Sequence, residues 1–281
     1  MSETRTTGRR TTPFLRAAAV LAVVLALAAT WMRRNEARAI GGMLRGARAS
    51  GRAPVGEADL ARLPKPVARW LRASGVVGRP APAVLRLEQE GRLRTGPGAR
   101  WMPFRARQWT TTDPPGFLWL GRAAFAPGVG VVVRDAYWDG RGGSSVALWG
   151  VLPIGRAGGA GIDEASLQRW LGELAWLPAA ALDGRIEWRQ IGPDAAEATM
   201  SVGRAAASAT FRFDADGHLC RVEADRWRAE AKAIRRWQVL LSGWTERDGV
   251  VVPAVAEVVW DDRAGAFSAI QLRVGATEIV R

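Results

Sequence analysis

From Val84 onward the chain alternates between apolar and polar residues with a period of two, and this constrains the fold more than any other feature. In VLRLEQEGRLR, Leu85, Leu87, Gln89, Gly91 and Leu93 fall on one face, and Arg86, Glu88, Glu90, Arg92 and Arg94 on the other. That repeat belongs to a strand with one covered face. Thr95-Gly96-Pro97-Gly98 then turns the chain, Met102 to Thr111 alternates again, and Asp113-Pro114-Pro115-Gly116 makes the next turn. Segments 117–125, 129–138 and 145–151 continue the series. After one interruption, strands are expected over 185–191, 196–202, 208–213, 219–227, 237–245, 250–260 and 267–277. Asp216-Gly217 and Asp248-Gly249 suit two-residue hairpin loops.

The interruption has the 3.6-residue period of a helix. Leu167, Trp170, Leu171, Leu174 and Leu177 form one stripe, with Asp163 as expected N-cap and Pro178 as stop. A shorter amphipathic helix is expected over 60–73, capped by Asp59, with Leu63, Val67, Trp70 and Leu71 on one side. About a dozen antiparallel strands and two or three helices, with no βαβ alternation, predict a mainly β (α+β) fold. The economical form is one large curved antiparallel sheet or open half-barrel with amphipathic helices on its concave side.

Ahead of this lies AAAVLAVVLALAATWM, Ala17 to Met32, with no charge, extended by Pro13-Phe14-Leu15 beyond Arg16. A bilayer-spanning helix needs about 20 residues. The run qualifies if Arg16 snorkels, and Trp31 then sits at the interface. A cleaved signal peptide is the rival: Arg5, Arg9 and Arg10 make a basic n-region and Ala26-Leu27-Ala28 a small-x-small site. Arg33 and Arg34 follow at once and speak for an uncleaved anchor. The expected organisation is a basic tail over 1–12, an anchor or signal peptide over 13–32, an Arg/Gly-rich linker over 33–58, whose part from Ile40 to Gly56 reads as a frayed helix or a linker, and one β-rich soluble domain over 59–281. Basic residues flank both ends of the apolar run, so charge casts no vote on orientation. The expected location is a single-pass membrane protein with its soluble domain extracytoplasmic.

The net charge is +13, nearly all from arginine, with lysine only at 65 and 232. No Lys/Arg stripe marks one element, so nucleic acid is not an expected partner. A single cysteine, Cys220, and a single histidine, His218, leave no His-based triad and no multi-Cys metal site. No catalytic group, metal or cofactor is expected. Asp214-Ala215-Asp216-Gly217 opens like a calcium loop, but Asp225 stands where the twelfth-position Glu belongs, so a hairpin turn is preferred.

Rings concentrate in RWMPFRARQWTTTDPPGFLW, which holds three of the fourteen tryptophans. Met102, Phe104, Ala106, Gln108 and Thr110 share one face of their strand, and Trp101, Arg105, Arg107 and Trp109 the other. Phe117, Trp119, Gly121, Ala123 and Phe125 share a face of the next. Large rings beside tiny residues leave a volume. A packed helix fills it in one reading, and an acyl chain in the other. For the second, the expected lining is Phe104, Trp109, Phe117, Trp119, Trp170 and Trp176, with Gln108 and Glu173 as polar contacts. Glu173 also stands four residues after Arg169, the spacing of a helical ion pair.

The blocks LPKPVARWL, WMPFRARQW…PPGFLW, RDAYWDGRG, LQRWLGELAWLPAAAL, FRFDADG…VEADRW and WTERDGVVVPAVAEVVW, in that order, resemble an uncharacterised bacterial family, a domain of unknown function that often carries an N-terminal membrane helix. The resemblance runs from about Leu63 to the C-terminus. Phe104, Gln108, Phe117, Trp119, Glu173 and Trp176 agree with the family pattern. Trp70, Trp170, Trp227 and Trp244 stand where tyrosine is common, and Ala179 where the pattern has Thr. The last blocks are also similar in topology to the lipoprotein carriers of the LolA/LolB type. That implies an open half-barrel with a greasy cavity, and a lipid or lipoprotein as partner.

The leading expectation is therefore a membrane-anchored, non-enzymatic module of the bacterial cell envelope that binds a lipid or lipid-modified ligand in a concave apolar cavity. The alternative is a structural or interaction module at the membrane surface with a packed interior and no ligand. A hydrolase or isomerase built on Glu173 and a nearby Asp is a third reading, and no nucleophile motif supports it.

Overall fold

The computed structural model describes residues 12–47, 53–262 and 265–280. Thirteen strands form one antiparallel sheet: β1 (Val84–Leu93), β2 (Met102–Thr111), β3 (Gly116–Ala126), β4 (Val129–Trp138), β5 (Arg141–Leu148), β6 (Leu152–Ala157), β7 (Ile186–Gly192), β8 (Ala195–Val202), β9 (Ala205–Phe213), β10 (Leu219–Arg228), β11 (Ala233–Arg247), β12 (Val250–Asp262) and β13 (Gly265–Val280). The order across the sheet is β6-β5-β4-β3-β2-β1-β13-β12-β11-β10-β9-β8-β7. Two meanders thus meet at the centre, where the first and last strands pair from Val84↔Val280 to Leu93↔Ile270. The mainly β, open antiparallel architecture expected from the periodicity is what forms. The single strand expected over 145–151 is instead split, because Trp149 and Gly150 both take positive φ and turn β5 into β6.

Helix α4 (Ala160–Glu173) leaves the edge strand β6 and leads, through a 3-10 helix at Pro178–Leu182, into the opposite edge strand β7. The same helix packs on β4 and β5 in one wing and on β9 and β10 in the other. Its stripe of Leu167, Trp170, Leu171 and Leu174 is fully buried, and Leu177 with it. Each such leucine contributes roughly 1.5–3 kcal/mol on burial. Asp163 is not the N-cap: Gly159 holds that position, and the Asp163 carboxylate accepts from the Gly142 backbone N–H at 2.7 Å, tying α4 to β5.

The short helix expected over 60–73 forms as two pieces, α2 (Glu57–Leu60) and α3 (Lys65–Ala73). Pro64 and Pro66 confine α3 to its own start. Asp59 therefore caps no long helix; its carboxylate accepts from Gly56 N at 2.9 Å within α2. On α3, Val67, Trp70 and Leu71 are buried, and Trp70 packs 6.2 Å from Phe211 and 5.8 Å from Phe213.

The largest departure from the sequence reading is α1, a continuous helix over Thr12–Gly46. Arg33 to Gly46, read as linker, are its last four turns. They lie on the outer face of the sheet, where Ile40, Met43 and Leu44 pack with Val84, Trp109, Leu118, Leu120 and Trp138. Glu36 stands 3.8 Å from Arg122 on the same face. The stretch is polar in composition, so the covered strip on the outer face of β2 to β4 was its hidden partner. At its other end α1 is long and apolar enough to cross a membrane, and its most apolar window is buried against nothing in the protein.

Trp109 is the centre of this outer cluster, with 6% of its surface exposed. Trp109→Ala is expected to destabilise the protein by about 3–5 kcal/mol, the usual cost of truncating a buried large ring. Urea unfolding of the full chain in detergent micelles reads this directly. A change below about 1 kcal/mol would mean that α1 does not depend on this contact.

Candidate functional site

The inner face of β1 to β5 is a grid of cross-strand rows. One row runs Leu85–Thr110–Phe117–Tyr137–Gly142 and the next Leu87–Gln108–Trp119–Asp135–Ser144. A third runs Gln89–Ala106–Gly121–Val133–Val146, and the last Gly91–Phe104–Ala123–Val131–Leu148. The last row lies toward the turns that join β1 to β2, β3 to β4 and β5 to β6, which we call the lower end.

A polar network built on the second row joins α4 to the sheet. Gln108 Nε2 donates to Glu173 Oε2 at 2.6 Å and to Thr110 Oγ1 at 3.0 Å. Arg169 donates from Nε to Glu173 Oε1 at 3.2 Å, from one terminal nitrogen to Asp135 Oδ2 at 3.0 Å, and from the other to Gln108 Oε1 at 3.1 Å. Ser144 Oγ donates to Asp135 Oδ1 at 2.6 Å. The guanidinium lies 4.5 Å from the centre of the Phe117 ring and 5.7 Å from that of Trp119. Gln108 is completely buried and Glu173 nearly so. The expected helical pair of Arg169 and Glu173 is present, and it faces the sheet rather than water.

Arg226 completes the charge balance. Its Nε donates to Ala165 O at 2.8 Å, and its guanidinium lies 5.0 Å from the Trp237 ring and 5.5 Å from that of Trp260. Burial, together with the like charge of Arg169, pulls the Arg226 pKa down to about 10, while Asp135 and Glu230 act in the opposite sense. Two cations and two carboxylates therefore share one region. Every oxygen of Glu173 and Asp135 already accepts a hydrogen bond, and both carboxylates are paired with Arg169. That arrangement holds a helix against a sheet.

The eight residues expected to line a site part company here. Gln108 and Glu173 are joined, as described. Phe117 lies beneath Arg169 and stacks with Tyr137, centroids 6.2 Å apart. Trp170 and Trp176 are core: their indole N–H groups donate to Thr111 O at 3.0 Å and Pro253 O at 2.9 Å. Trp109 faces away from Gln108, under α1. Phe104 and Trp119 remain together, centroids 5.9 Å apart, in a separate small cluster with Ala106 and Ala123. Trp119 Nε1 donates to Gln89 Oε1 at 2.8 Å.

The volume promised by the small residues is largely taken. A Cβ on Gly121 would overlap the indole of Trp119, which lies flat over it. One on Gly142 would overlap Ser166 and the Ile162 carbonyl of α4. In the covered half a void of about 10 Å³ sits among Trp70, Ser74, His218, Leu219, Trp244 and their neighbours, room for about one water. An open groove of about 940 Å³ runs across the sheet, where charged Arg92, Arg105, Arg122, Arg273, Glu90 and Glu257 alternate with apolar Phe104, Val255, Ala256 and Leu272.

The lower end is different. Around Phe104 and Trp119, the apolar side chains Leu93, Met102, Val131, Val133, Ile270 and Leu272 are only partly buried. Val146 and Leu148 continue the same floor and are also half-buried. No helix covers this part of the inner face among the described residues. Asp135 was missed from sequence although a signal existed: it falls in phase with Val131, Val133 and Tyr137, a lone charge on an apolar face. Ser144 and Gln89 carried no such signal.

His218 and Cys220 do not form a reactive pair. His218 stacks on Trp244, centroids 4.8 Å apart, and Cys220 Sγ donates to Arg212 O at 3.2 Å. Burial, with the nearby Asp214, pushes the thiol pKa up. Asp214, Asp216 and His218 do come close enough to share an ion, but Asp214 also accepts from the His218 backbone N–H at 2.8 Å, as a hairpin turn requires.

Breaking the buried network on one side should cost about 3–5 kcal/mol, because the partner charge stays buried. Glu173→Ala and Arg169→Ala are each expected to lose that much in urea unfolding. The double variant should lose clearly less than the sum of the two. Additive losses would mean the two side chains do not act together.

Among solved structures, a LolA-superfamily protein from Nitrosomonas europaea matches with 8% identity and a TM-score of 0.42, over 75% of this chain and 92% of that one. A DUF1329-family protein from Desulfovibrio piger matches with 13% identity and a TM-score of 0.38, over 81% of this chain and 94% of that one. No curated protein matches the sequence. Residues 53–272, the sheet with α2 to α4, match the model of a family of unknown function, DUF6544; the chain belongs to that family.

Proposed function

We propose that this protein is a single-pass membrane-anchored module that binds one apolar chain of a lipid or lipid-modified ligand on the lower inner face of its half-barrel. The observation that carries the reading is the half-buried apolar floor of Leu93, Met102, Val131, Val133, Val146 and Leu148 around the buried Phe104 and Trp119. An open apolar concavity beside a closed core costs free energy in water, at roughly 25 cal/mol per Å² of apolar surface, until something covers it. The site is smaller than the one expected from sequence. Phe117, Trp170, Trp176, Gln108 and Glu173 stabilise its upper boundary, and Phe104 and Trp119 touch the ligand. The Arg169 network sits where the closed half meets the open one, close enough to meet a polar headgroup.

A second reading has one observation in its favour. The covered half is packed to within about one water, which suits an interaction module with no ligand. The two readings differ at the floor.

The full chain is the right material, because removal of α1 would uncover Trp109, Leu118 and Leu120. In nanodiscs containing a phospholipid with a photoactivatable acyl chain, peptides from β2, β4 and β5 should be labelled as well as those from α1. Val133→Glu, a change on the half-buried floor, should reduce the β-strand labelling at least tenfold and leave that of α1 unchanged. Labelling restricted to α1 in the native chain would favour the packed module and sink the lipid site.

A further inference from the structure

The last turns of α1 fix the direction in which its apolar end leaves the sheet. Met32 sits beside Gly150 and Val132: a Cβ on Gly150 would stand 2.7 Å from Met32 Cε and 2.9 Å from Val132 Cγ2. Gly46, at the other end, sits against Trp138, with 2.6 Å from a built Cβ to the indole. The fourteen helical steps from Met32 to Gly46 rise ~21 Å, and the six steps from Val132 to Trp138 on β4 span ~20 Å. Helix and strand therefore run side by side in the same direction. Continued backward, α1 passes the turns of the lower end at Met32, and residues 15–31 project ~24 Å beyond them at 1.5 Å per residue.

At that level the protein exposes large apolar side chains. Phe125 is 61% exposed, Trp149 57%, Leu152 56% and Ile154 56%, side by side on the β3–β4 and β5–β6 turns and the start of β6. Trp149 Nε1 donates to Gly128 O at 2.9 Å, which joins the β5–β6 turn to the β3–β4 turn and leaves the ring outside. Trp31, 64% exposed, and Trp149 each lie one residue from the Met32–Gly150 contact. Indole rings favour the headgroup layer, where the ring is half in apolar surroundings. Arg33 and Arg34, both exposed, follow on the protein side of the same level.

We propose that the β3–β4 and β5–β6 turns rest in the headgroup layer of the bilayer that α1 spans, with Phe125, Trp149, Leu152 and Ile154 as the contact surface and Trp31 beside them. The proposal rests on the reading of α1 as a membrane anchor. It adds a fixed posture: the half-barrel stands with its lower end on the membrane, so the uncovered apolar floor opens toward lipid rather than water.

Spin labels test it. In full-length protein carrying Cys220→Ser, single cysteines are introduced by Trp149→Cys, Phe125→Cys, Leu21→Cys and Asp216→Cys, and the labelled chains are placed in phosphatidylcholine/phosphatidylglycerol nanodiscs. Labels at 149 and 125 should collide more with oxygen than with a water-soluble nickel chelate, the one at 216 should do the reverse, and the one at 21 should read deepest. If 21 reads deep while 149 and 125 both behave like 216, the membrane posture is wrong and the anchor stands. A water-like reading at 21 overturns the anchor and the posture together. Spin–spin broadening between copies at 149, without oxygen access, would make the turns a self-association surface and overturn the proposal.

Discussion

A sheet of thirteen strands with one apolar face needs a lid, and the connection from β6 to β7 supplies it. Because these are the two edge strands, the chain between them has to cross the whole opening. Its apolar stripe meets both wings, and its polar side meets Gln108, Asp135 and Ser144 through Arg169 and Glu173. The hydrophobic stripe gives most of the free energy. The network gives position, since a charge-assisted set with this many partners tolerates only one register of helix on sheet. A shift of α4 by one turn would carry the Arg169–Glu173 pair along but leave Asp135 without its cation and Glu173 without Gln108.

The same lid divides the inner face. Above the network, α3, α4 and the 3-10 helix close the core, and the indole N–H groups of Trp170, Trp176 and Trp188 donate to backbone carbonyls. Below it the apolar rows go on with no helix over them among the described residues. A protein that needed only stability would have little use for that second region, because half-exposed apolar surface in a concavity costs free energy in water. The asymmetry ties the fold to the proposed lipid site.

On the outside, α1 joins the β-rich domain to its apolar N-terminal segment in one continuous helix. Its last four turns are held by Trp109, Leu118 and Leu120, and the segment is one unbroken helix. A flexible tether would let the half-barrel take any orientation at a membrane. In the proposed posture a docked helix allows few, and sets the same exposed rings against the membrane each time.

The sequence by itself determined the strands, the apolar run and the stripe of α4. These are local patterns of period 2 and 3.6, set by backbone geometry wherever one face is covered. It also placed Arg169 and Glu173 a turn apart, and put Trp109 on the face opposite Gln108. What only the tertiary structure decided is which partner covers each face. Gly121 and Gly142 read as empty volume in one dimension, yet Trp119 and α4 occupy that space. Arg33 to Gly46 read as linker because the chain shows its charge and hides its partner strip on β2 to β4. Asp135 and Ser144 reach Arg169 only across strand pairings that no local window contains. Burial is a property of surfaces brought together over long sequence separations, so periodicity names the face and only the fold names what lies against it.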